Sequence, residues 1–363
     1  MRIAHLVWSM GVGGAQTLLT GIANIQVRSG HEVGIFIVDN RIDDTIISKL
    51  DPRIEVFYFG RTKGTFSIMP FVKLNRQLWR FRPDIIHSHA GRLSKVILSR
   101  VPMVVTFHNT RLDPNNFKRY KKGFAISDVV KDDIVKSGYK GDVVVIDNGV
   151  PCDEIRCKTD FKRGDTVHVI QVSRIFFHQK RQDLAVQALS KLKEKLKDTQ
   201  AIRQSGNQAI TKCVMHFVGD GPDMDSLKAL VSELGLDDDV VLEGLKDRNW
   251  VLEHLCDYDL FLQPSDFEGF GLTVAEACAA KLPVLVSDVD GPLEVIDGGR
   301  LGMVFRHGNA DDLADKLFQF IRDGYDTSIV EKAYQNTVER YSIVRTTQRY
   351  VEEYEKVINN QNQ

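Results

Sequence analysis

The chain has 363 residues, a length that suits two domains rather than one hydrophobic core. Hydrophobic residues make up 43% of the chain and charged residues 27%, which is typical of globular proteins and excludes disordered and fibrous classes. No apolar run reaches the roughly 18 residues that a membrane-spanning helix needs.

The net charge of -1 is unevenly distributed. Residues 1–150 contain 22 Lys and Arg against 13 Asp and Glu, whereas the remainder contains 26 against 36. Between residues 57 and 112 the only acid is Asp84, against ten basic residues. A basic half is typical of proteins that contact a membrane surface, a phospholipid-linked substrate or a nucleic acid. A solvated basic face would have the same composition.

Five cysteines are scattered along the chain and form no CxxC pair. This pattern indicates neither a zinc site nor a disulfide framework, so we expect a reducing, cytoplasmic location. The glycines of GVGGAQ (11–16) interrupt the apolar stretch near the start, and no basic leader precedes that stretch. A secretion signal is therefore not expected.

Short β-type runs alternate with helical patterns along the chain. The first five runs that are typical of buried strands are 2–8, 32–38, 84–89, 102–107 and 142–146. Helical patterns lie between them, and one has its apolar stripe at Phe71, Leu74, Leu78 and Phe81. This alternation predicts a parallel sheet with helices on both faces.

The pattern then restarts after a polar stretch at 148–165, which has no clear period and is predicted to be a linker. The next five strand patterns are 167–173, 212–218, 239–244, 258–264 and 282–288. We therefore expect two doubly wound α/β domains. Ligands of such folds bind at the carboxyl ends of strands, so the loops after the strands are the candidate sites.

The first candidate loop is WSMGVGGAQ (8–16), directly after the first predicted strand. Gly11, Gly13 and Gly14 would open a helix whose first N–H groups are free to hold a phosphate. The spacing is G-x-G-G, because Gln16 stands where a G-x-G-x-x-G motif has its third glycine. Dinucleotide binding is therefore disfavoured, and a tight turn without a ligand would contain the same glycines.

The second candidate loop is VSRIFFHQKRQD (172–183). Arg174 would leave the end of a strand, and Lys180 would stand just before the next helix. Two cations in one strand-to-helix loop suit a diphosphate, because they offset the charge that develops on a leaving group. Two exposed surface cations would give the same pattern.

The third candidate loop is LFLQPSDFEGFGLTVAEACA (260–279), which runs from a predicted buried strand into an apolar helix. Its glycines would let a ligand approach the backbone, and the helix start would offer free amides to a phosphate. Glu268 would lie in the loop and Glu276 one turn inside the helix. Thr273 and Glu276 also match a capping box, in which case Glu276 would only cap its own helix.

The spacing of Glu268 and Glu276 resembles the E-x7-E signature of family 4 glycosyltransferases, a retaining group with the GT-B architecture. Further stretches resemble motifs of this family and stand in the family's order: GVGGAQ, IDNGV (146–150), SRIFFHQK, FVGDGP (217–222) and LEG (242–244). YSIVRTTQRYVEEY (341–354) resembles the family's terminal helix, which crosses back to the first domain. The resemblance therefore covers nearly the whole chain.

The resemblance implies an α/β GT-B fold with two doubly wound Rossmann-like domains facing a central cleft. Residues 1–160 would bind the acceptor, residues 164–343 would bind the nucleotide-sugar, and the terminal helix 344–363 would pack back on the first domain. The implied reaction moves a sugar from a UDP- or GDP-sugar to a glycan or lipid-linked acceptor in cell-surface polysaccharide or glycolipid biosynthesis. The basic N-terminal domain would contact the inner face of the membrane, and no nucleic acid would bind.

The resemblance also assigns roles to residues. Glu276 would hold the ribose hydroxyls, Arg174 and Lys180 the diphosphate, and Glu268 the transferred sugar. The implied catalytic residues are Glu268, Arg174, Lys180 and His89. The implied donor-binding residues are Gly13, Gly14, Gly269, Phe270, Gly271, Leu272, Thr273, Glu276 and His108. A structural role in the interior is the alternative for both histidines.

No metal and no other cofactor is expected. DVD (288–290) spells the D-x-D string of metal-dependent glycosyltransferases, but the resembling family uses this loop without metal. Two positions depart from the family. Arg181 follows Lys180 where the family usually has a glycine, so this extra cation would alter the phosphate loop. Asp290-Gly291 replaces a Gly-Gly pair that is common in the family. The family places this loop near the donor sugar, so the identity of the sugar is the property that the resemblance leaves most open.

Three other functions fit parts of the sequence. A GT-B nucleotide-sugar 2-epimerase would convert a UDP-sugar without an acceptor, but its motifs fit less well. A nucleotide-binding protein without catalysis is disfavoured because Arg174, Lys180, Glu268 and Glu276 are all present. The G-x-G-G loop disfavours an NAD oxidoreductase.

Overall fold

A computed structural model describes residues 1–11, 13–62, 64, 66–198 and 212–360. The chain divides into two compact units, Met1–Pro151 with Arg340–Gln363, and Cys152–Glu339. The stretch expected to be a linker belongs to the second unit from Cys152 onward. The N–H of Arg156 donates to the carbonyl of Leu252, and that of Lys158 donates to the carbonyl of Ala280. Both boundaries of the second unit therefore fall before the expected residues, 164 and 343.

The first unit is built on a parallel sheet. Its strands are β1 (Arg2–Val7), β2 (Glu32–Asp39), β3 (Glu55–Arg61), β4 (Ile85–Ser88), β5 (Met103–Phe107), β6 (Lys122–Ala125) and β7 (Asp142–Val145), in the spatial order β3-β2-β1-β4-β5-β6-β7. Its first helices are α1 (Gly14–Arg28), α2 (Asp44–Ile47), α3 (Met69–Phe81) and α4 (Asp128–Lys136). The central strand β1 has neighbours on both sides, because Ile3 is in register with Val33 of β2 and with Ile85 of β4.

The second unit repeats this plan. Its strands are β8 (Thr166–Val172), β9 (Lys212–Val218), β10 (Val240–Gly244), β11 (Leu260–Gln263), β12 (Val284–Ser287) and β13 (Met303–Phe305), in the order β10-β9-β8-β11-β12-β13. Its helices are α5 (Phe177–Lys180), α6 (Gln182–Asp198), α7 (Met224–Glu233), α8 (Arg248–His254), α9 (Leu272–Ala279), α10 (Asp290–Val295) and α11 (Ala310–Asp323). The chain ends with α12 (Thr327–Tyr341) and α13 (Ile343–Asn359).

The prediction of two doubly wound α/β domains is confirmed, and each of the ten predicted strands is present. The prediction missed β3, β6 and β13. These strands are short or partly exposed, so they lack the long apolar run that marks a buried parallel strand. Among the described residues, no helix combines the length and the apolar character needed to cross a membrane.

The strand order of each sheet reverses beside its first strand, between β1 and β4 and between β8 and β11. Loops at the carboxyl ends of strands form the ligand sites of open α/β sheets at such reversals. The loop after β1 contains the glycine stretch, and His89 follows β4 directly. Arg174 and Lys180 lie between β8 and α6, and Glu268 and Glu276 lie between β11 and the end of α9. The topology therefore places the candidate loops of each unit at one edge of its sheet.

Helix α13 is fastened to the first unit by buried polar contacts. The side chain of Asp147 is 4% exposed and pairs with Arg340 at 3.2 Å and with Arg349 at 3.5 Å. The N–H of Val150 donates to Tyr341, and the N–H of Ile343 donates back to Val150. The IDNGV stretch thus anchors the returning helix.

Gly149 lies directly against this helix, since a Cβ built on it would stand 2.5 Å from Cα of Ile343. Gly149→Ala should push α13 outward and lower the free energy of unfolding by about 1–3 kcal/mol, measured by urea denaturation. Gly164→Ala is the matched control, because a Cβ there would meet nothing closer than the Thr166 nitrogen at 4.0 Å. Equal unfolding midpoints for the two variants would contradict the anchoring.

Candidate functional site

Two buried glutamines hold the loop after β8. Nε2 of Gln171 donates to the carbonyl of Lys180 at 2.9 Å, and Nε2 of Gln182 donates to the carbonyl of Arg174 at 2.9 Å. Both amides also donate to Oγ of Ser173. The backbone that carries the two predicted cations is therefore fixed from the interior, while the side chain of Arg174 is directed outward and is exposed.

The glycines of FVGDGP make room for this loop. A Cβ on Gly219 would clash with the carbonyl oxygen of Ser173, and a Cβ on Gly221 would clash with the carbonyl oxygen of Ile175. Gly219 also has φ +139°, in the region that favours glycine. The motif therefore lets the backbone after β9 pack closely on the loop after β8.

Arg181 links α5 to α6 in a left-handed conformation, with φ 52° and ψ 43°. Glycine adopts this conformation without strain, which fits the glycine that the family usually has here. The guanidinium of Arg181 contacts both carboxylate oxygens of Asp266 at 3.0 Å and Oδ1 of Asp183 at 3.1 Å. Two acids of the same unit thus neutralise the extra cation.

Glu268 is held through one of its two carboxylate oxygens. Oε1 forms an ion pair with Nζ of Lys180 and accepts hydrogen bonds from Nε2 of Gln263 at 2.9 Å and Oγ of Ser265 at 3.2 Å. Within the described residues Oε2 has no hydrogen-bond partner, so it is available to a ligand hydroxyl. Lys180 has three N–H donors, so the pair leaves donors for a phosphate.

The backbone between the two glutamates turns sharply into α9. Gly271 has φ +98° and precedes the first helical residue, Leu272. The N–H groups of Val274 and Ala275 both donate to the carbonyl of Gly271. The amides of Leu272 and Thr273 therefore have no acceptor inside the helix, and they form a helix start that suits an anion.

Gly291, the second residue of α10, supports this turn. A Cβ on Gly291 would lie 2.7 Å from the carbonyl oxygen of Glu268 and 2.8 Å from the nitrogen of Phe270. Any side chain at 291 would therefore displace the Glu268 loop. The second glycine of the family's pair thus has a steric role here.

Glu276 does not cap its own helix. The N-cap of α9 is Gly271 and makes no side-chain capping bond, so the capping-box interpretation is wrong. The Glu276 side chain is 3% exposed, and its Oε1 forms an ion pair with a terminal guanidinium nitrogen of Arg248 at 2.7 Å. Within the described residues Oε2 has no hydrogen-bond partner. Both glutamates therefore have one oxygen bound to a cation and one available to a hydroxyl.

In the first unit, Gly13 is the N-cap of α1 and Gly14 is its first residue. The first turn of this helix contains no acidic residue, so no carboxylate offsets the positive end of the helix dipole. A Cβ on Gly13 would approach Oε1 of Gln16 to 2.7 Å. The start of α1 therefore suits an anion, and a side chain at position 13 would crowd the Gln16 amide.

The two predicted histidines, His89 and His108, belong to a hydrogen-bonded row that begins at His5. Nε2 of His5 contacts Oε1 of Gln26 at 2.8 Å, Nδ1 of His5 contacts Nε2 of His89 at 3.2 Å, and Nδ1 of His89 contacts Nε2 of His108 at 3.2 Å. With the Gln26 amide oriented so that its oxygen faces His5, neutral imidazoles donate from each Nε2 along the row and accept at each Nδ1. The row ends at Nδ1 of His108, an unprotonated acceptor with no partner among the described residues.

These histidines are uncharged near neutral pH. Burial lowers the pKa of His5 and of His108 to about 4. Burial and the neighbouring imidazoles hold the pKa of His89 well below its ordinary value. Both ring nitrogens of His89 are engaged, so the geometry places His108 ahead of His89 as the histidine that can contact a ligand.

A group that overlaps this row, His5, His87 and His89, is the one set of three or more His, Cys, Asp or Glu side chains in the described ranges that is close enough to hold a metal ion. One ring nitrogen each of His5, His87 and His89 lie within 4.8 Å of one another. The row occupies both nitrogens of His5 and of His89. Those of His87 contact the Tyr354 hydroxyl at 2.5 Å and the Thr106 hydroxyl at 2.7 Å. A metal would have to displace these bonds, so the cluster fits a structural role better.

Asp288, the first acid of the DVD stretch, contacts another loop of the same unit. Oδ1 of Asp288 accepts from the backbone N–H of His307 at 2.7 Å and contacts its ring Nδ1 at 2.9 Å. Asp290 is the first residue of α10. Asp288 therefore fastens one loop to another, which differs from the paired carboxylates of a metal-binding D-x-D string.

Comparison with known proteins identifies the family of this chain. Residues 154–339 match the glycosyl transferases group 1, and residues 12–154 match glycosyltransferase family 4. The chain belongs to the group 1 glycosyltransferases. N-acetyl-alpha-D-glucosaminyl L-malate synthase of Bacillus anthracis is 26% identical over 95% of this chain and 93% of its own length.

Two solved structures share the fold of this glycosyltransferase. A glycosyltransferase from Rickettsia africae superposes with a TM-score of 0.78 at 23% identity, covering 99% of each chain. Anabaena HepE, in a complex with UDP and glucose, superposes with a TM-score of 0.78 at 20% identity, covering 98% of this chain and 100% of its own. The predicted GT-B fold is thus confirmed.

Sequence reasoning missed several residues that support the predicted site. Gln263 and Ser265 hold Glu268, and Arg248 holds Glu276. A buried glutamine at the end of the apolar strand LFLQ is a signal that could have revealed Gln263. Arg248 has no comparable signal, because it lies far from Glu276 in sequence and reaches it only through the folded sheet.

Arg248→Ala should leave the buried Glu276 carboxylate without its cation. We expect the free energy of unfolding to fall by about 1–3 kcal/mol, measured by urea denaturation. In a Glu276→Gln background the same change should cost less than about 1 kcal/mol, because an uncharged amide does not need the cation.

Arg300→Ala is the matched control for this cycle. Arg300 pairs with Asp297 at the surface, where its own side chain is 77% exposed, so its loss should cost about 0–1 kcal/mol. The role assigned to the buried pair is wrong if Arg248→Ala destabilises both backgrounds equally.

Proposed function

We propose that this glycosyltransferase moves a sugar, with retention of anomeric configuration, from a nucleoside-diphosphate sugar to a hydroxyl of a glycan or lipid-linked acceptor. The observation that carries the proposal is the pair of glutamates on either side of the start of α9. Each has one oxygen bound to a cation and one oxygen open, and the free amides of Leu272 and Thr273 lie between them. This order matches a donor with a sugar, a diphosphate and a ribose in series.

Each part of the donor has a chemical counterpart in the second unit. Oε2 of Glu276 accepts from ribose hydroxyls, and Oε2 of Glu268 accepts from a hydroxyl of the transferred sugar. Arg174, Lys180 and the amides at the start of α9 contact the diphosphate. Gly269 and Phe270 belong to the turn that brings this backbone near the sugar.

The chemical demand on the site is stabilisation of the leaving group. The bond between the anomeric carbon and the diphosphate oxygen breaks, and the electron pair stays on the diphosphate. Two cations and a helix start offset that charge. The departing oxygen takes the proton of the acceptor hydroxyl, whose oxygen forms the new bond on the same face. Glu268 needs no nucleophilic role in this scheme, which fits the three contacts at its Oε1.

The first unit supplies the acceptor side in this proposal. Gly13 and Gly14 open a helix whose start suits a phosphate group, and the row of neutral histidines ends at Nδ1 of His108, which can accept from a hydroxyl. The reaction requires no metal or other cofactor in this scheme. UDP is the first nucleotide to test, because HepE was solved with UDP and glucose.

The donor site is tested by calorimetric titration of UDP, GDP, ADP and NAD in EDTA. We expect one nucleoside diphosphate to bind with micromolar affinity without metal. Glu276→Ala should weaken it by about 1–3 kcal/mol, which is roughly 5- to 150-fold, because the hydrogen bonds to the ribose are lost. Glu253→Ala removes an exposed acid of α8 and is the matched control; it should leave the affinity unchanged.

Two results would require withdrawal of these roles. The first is that no nucleotide of the panel binds. The second is that the Glu276→Ala variant binds as tightly as the wild type, in which case Glu276 serves the fold alone.

A further inference from the structure

The first unit contains a cavity of about 520 Å³, which we call the β6–β7 cavity. Its walls come from the segment between β5 and β6, with Asn115, Lys118 and Tyr120, and from the segment between α4 and β7, with Tyr139 and Lys140. Tyr120 and Lys140 stand just before β6 and β7, at the amino ends of these strands. The candidate loops instead follow the carboxyl ends of strands, and no residue of this cavity has a role in the proposed reaction.

The size of the cavity limits what it can bind. Binding sites for small organic molecules measure roughly 300–1,000 Å³, and the β6–β7 cavity lies within this range. An inorganic ion alone would leave most of the volume unfilled. The volume therefore suits a molecule of the size of a sugar.

The two tyrosines of the cavity differ in how their hydroxyls are engaged. The hydroxyl of Tyr120 contacts the carbonyls of Ala90 and Gly91, each at 3.1 Å, and so fixes one wall. Tyr139 is 7% exposed, and its hydroxyl has no hydrogen-bond partner among the described residues. A buried hydroxyl without a partner costs free energy, so a ligand that accepts from Tyr139 would remove this cost.

Gly141 keeps the Tyr139 hydroxyl at the boundary of the cavity. Gly141 itself lines the cavity, and a Cβ on it would clash with this hydroxyl. Burial raises the pKa of Tyr139 to about 12, so the hydroxyl keeps its proton near neutral pH and can donate it in a hydrogen bond.

Both lysines of the cavity add positive charge. They are exposed, and within the described residues neither ammonium group forms an ion pair or a hydrogen bond. The acids closest to them in sequence are engaged elsewhere. Asp113 accepts from the backbone N–H of Asn115 at 3.0 Å, and Asp142 pairs with Lys122 at 2.9 Å. The two ammonium groups are therefore available to a ligand.

Two ammonium groups and a hydroxyl that can donate select a ligand with negatively charged oxygens. We propose that the β6–β7 cavity binds a small sugar that carries a phosphate or a carboxylate. Its charged group contacts Lys118 and Lys140, and one of its oxygens accepts from the hydroxyl of Tyr139.

The preference for a sugar rests on the proposed function, whereas the preference for an anion rests on the cavity alone. The test uses neither a nucleotide nor an acceptor. A failure of the nucleotide panel and a failure of this second site are therefore separate outcomes.

The first test is calorimetric titration of the full chain with glucose 6-phosphate, glucuronate, glucose and inorganic phosphate. We expect glucose 6-phosphate or glucuronate to bind at one site with submillimolar affinity, and the comparison of the two shows which charged group is preferred. Glucose and inorganic phosphate should bind at least about tenfold more weakly, because each lacks one part of the ligand. The proposal is wrong if neither charged sugar binds, or if glucose binds as tightly as they do.

The double change Lys118→Gln and Lys140→Gln should lower the affinity for the charged sugar about 30-fold, because two charge-assisted hydrogen bonds are lost. Lys49→Gln with Lys73→Gln is the matched control. It removes the same charge from exposed positions of the same unit outside the cavity, and the affinity should change less than about twofold. Equal losses in the two double variants would overturn the proposal.

Arg174→Gln separates this cavity from the candidate donor site, which could also hold a phosphate. We expect this variant to bind the charged sugar as the wild type does. Loss of binding in Arg174→Gln, with binding retained in the double lysine variant, would place the sugar at the donor site and overturn the proposal.

Tyr139→Phe gives a second readout. The affinity for the charged sugar should fall about five- to tenfold, whereas the urea unfolding midpoint should stay the same or rise, because the hydroxyl has no partner within the described part of the chain. Tyr120→Phe is the comparison for stability and should lower the midpoint, since its hydroxyl contacts two carbonyls. A Tyr139→Phe variant that binds the charged sugar as tightly as the wild type would contradict the proposal.

Discussion

The candidate donor site depends on how two carboxylates are buried at the ends of residues 268–276. A buried carboxylate is costly unless a cation and hydrogen bonds accompany it. Lys180 supplies the cation for Glu268, and Arg248 supplies it for Glu276. Each ion pair uses one oxygen and leaves the other to a ligand. The ion pairs that offset the cost of burying the two carboxylates therefore also orient them.

The segments that carry these ion pairs pack closely on neighbouring segments, and three glycines make this packing possible. Gly219 and Gly221 let the segment after β9 lie against the loop that carries Arg174 and Lys180. Gly291 lets the start of α10 lie against Glu268 and Phe270. A methyl group at any of the three would displace a segment that carries a site residue. Motifs that stand far apart in the sequence are thus parts of one packed arrangement, and each glycine marks a close contact between two segments.

Much of the fold follows from local patterns, whereas the partners of the site residues do not. Alternating apolar runs and helical periods predict both sheets, and the spacing of Glu268 and Glu276 predicts the loop and helix that carry them. The strand β13 and the pairing of Arg248 with Glu276 depend on contacts between distant segments, which no local pattern encodes. The sequence also could not show which histidine has a free nitrogen. That property depends on a hydrogen-bond direction set by Gln26, on another element of the same unit.

The central claim is that the open oxygen of Glu276 accepts from a ribose hydroxyl. The most direct measurement compares the affinity of the nucleoside diphosphate that binds best with that of its 2′,3′-dideoxy analogue. The wild type should prefer the natural nucleotide by about tenfold or more, and Glu276→Ala should bind both alike, because a buried acceptor discriminates against a ligand that lacks its donor. A wild type that binds both nucleotides with equal affinity would contradict the claim.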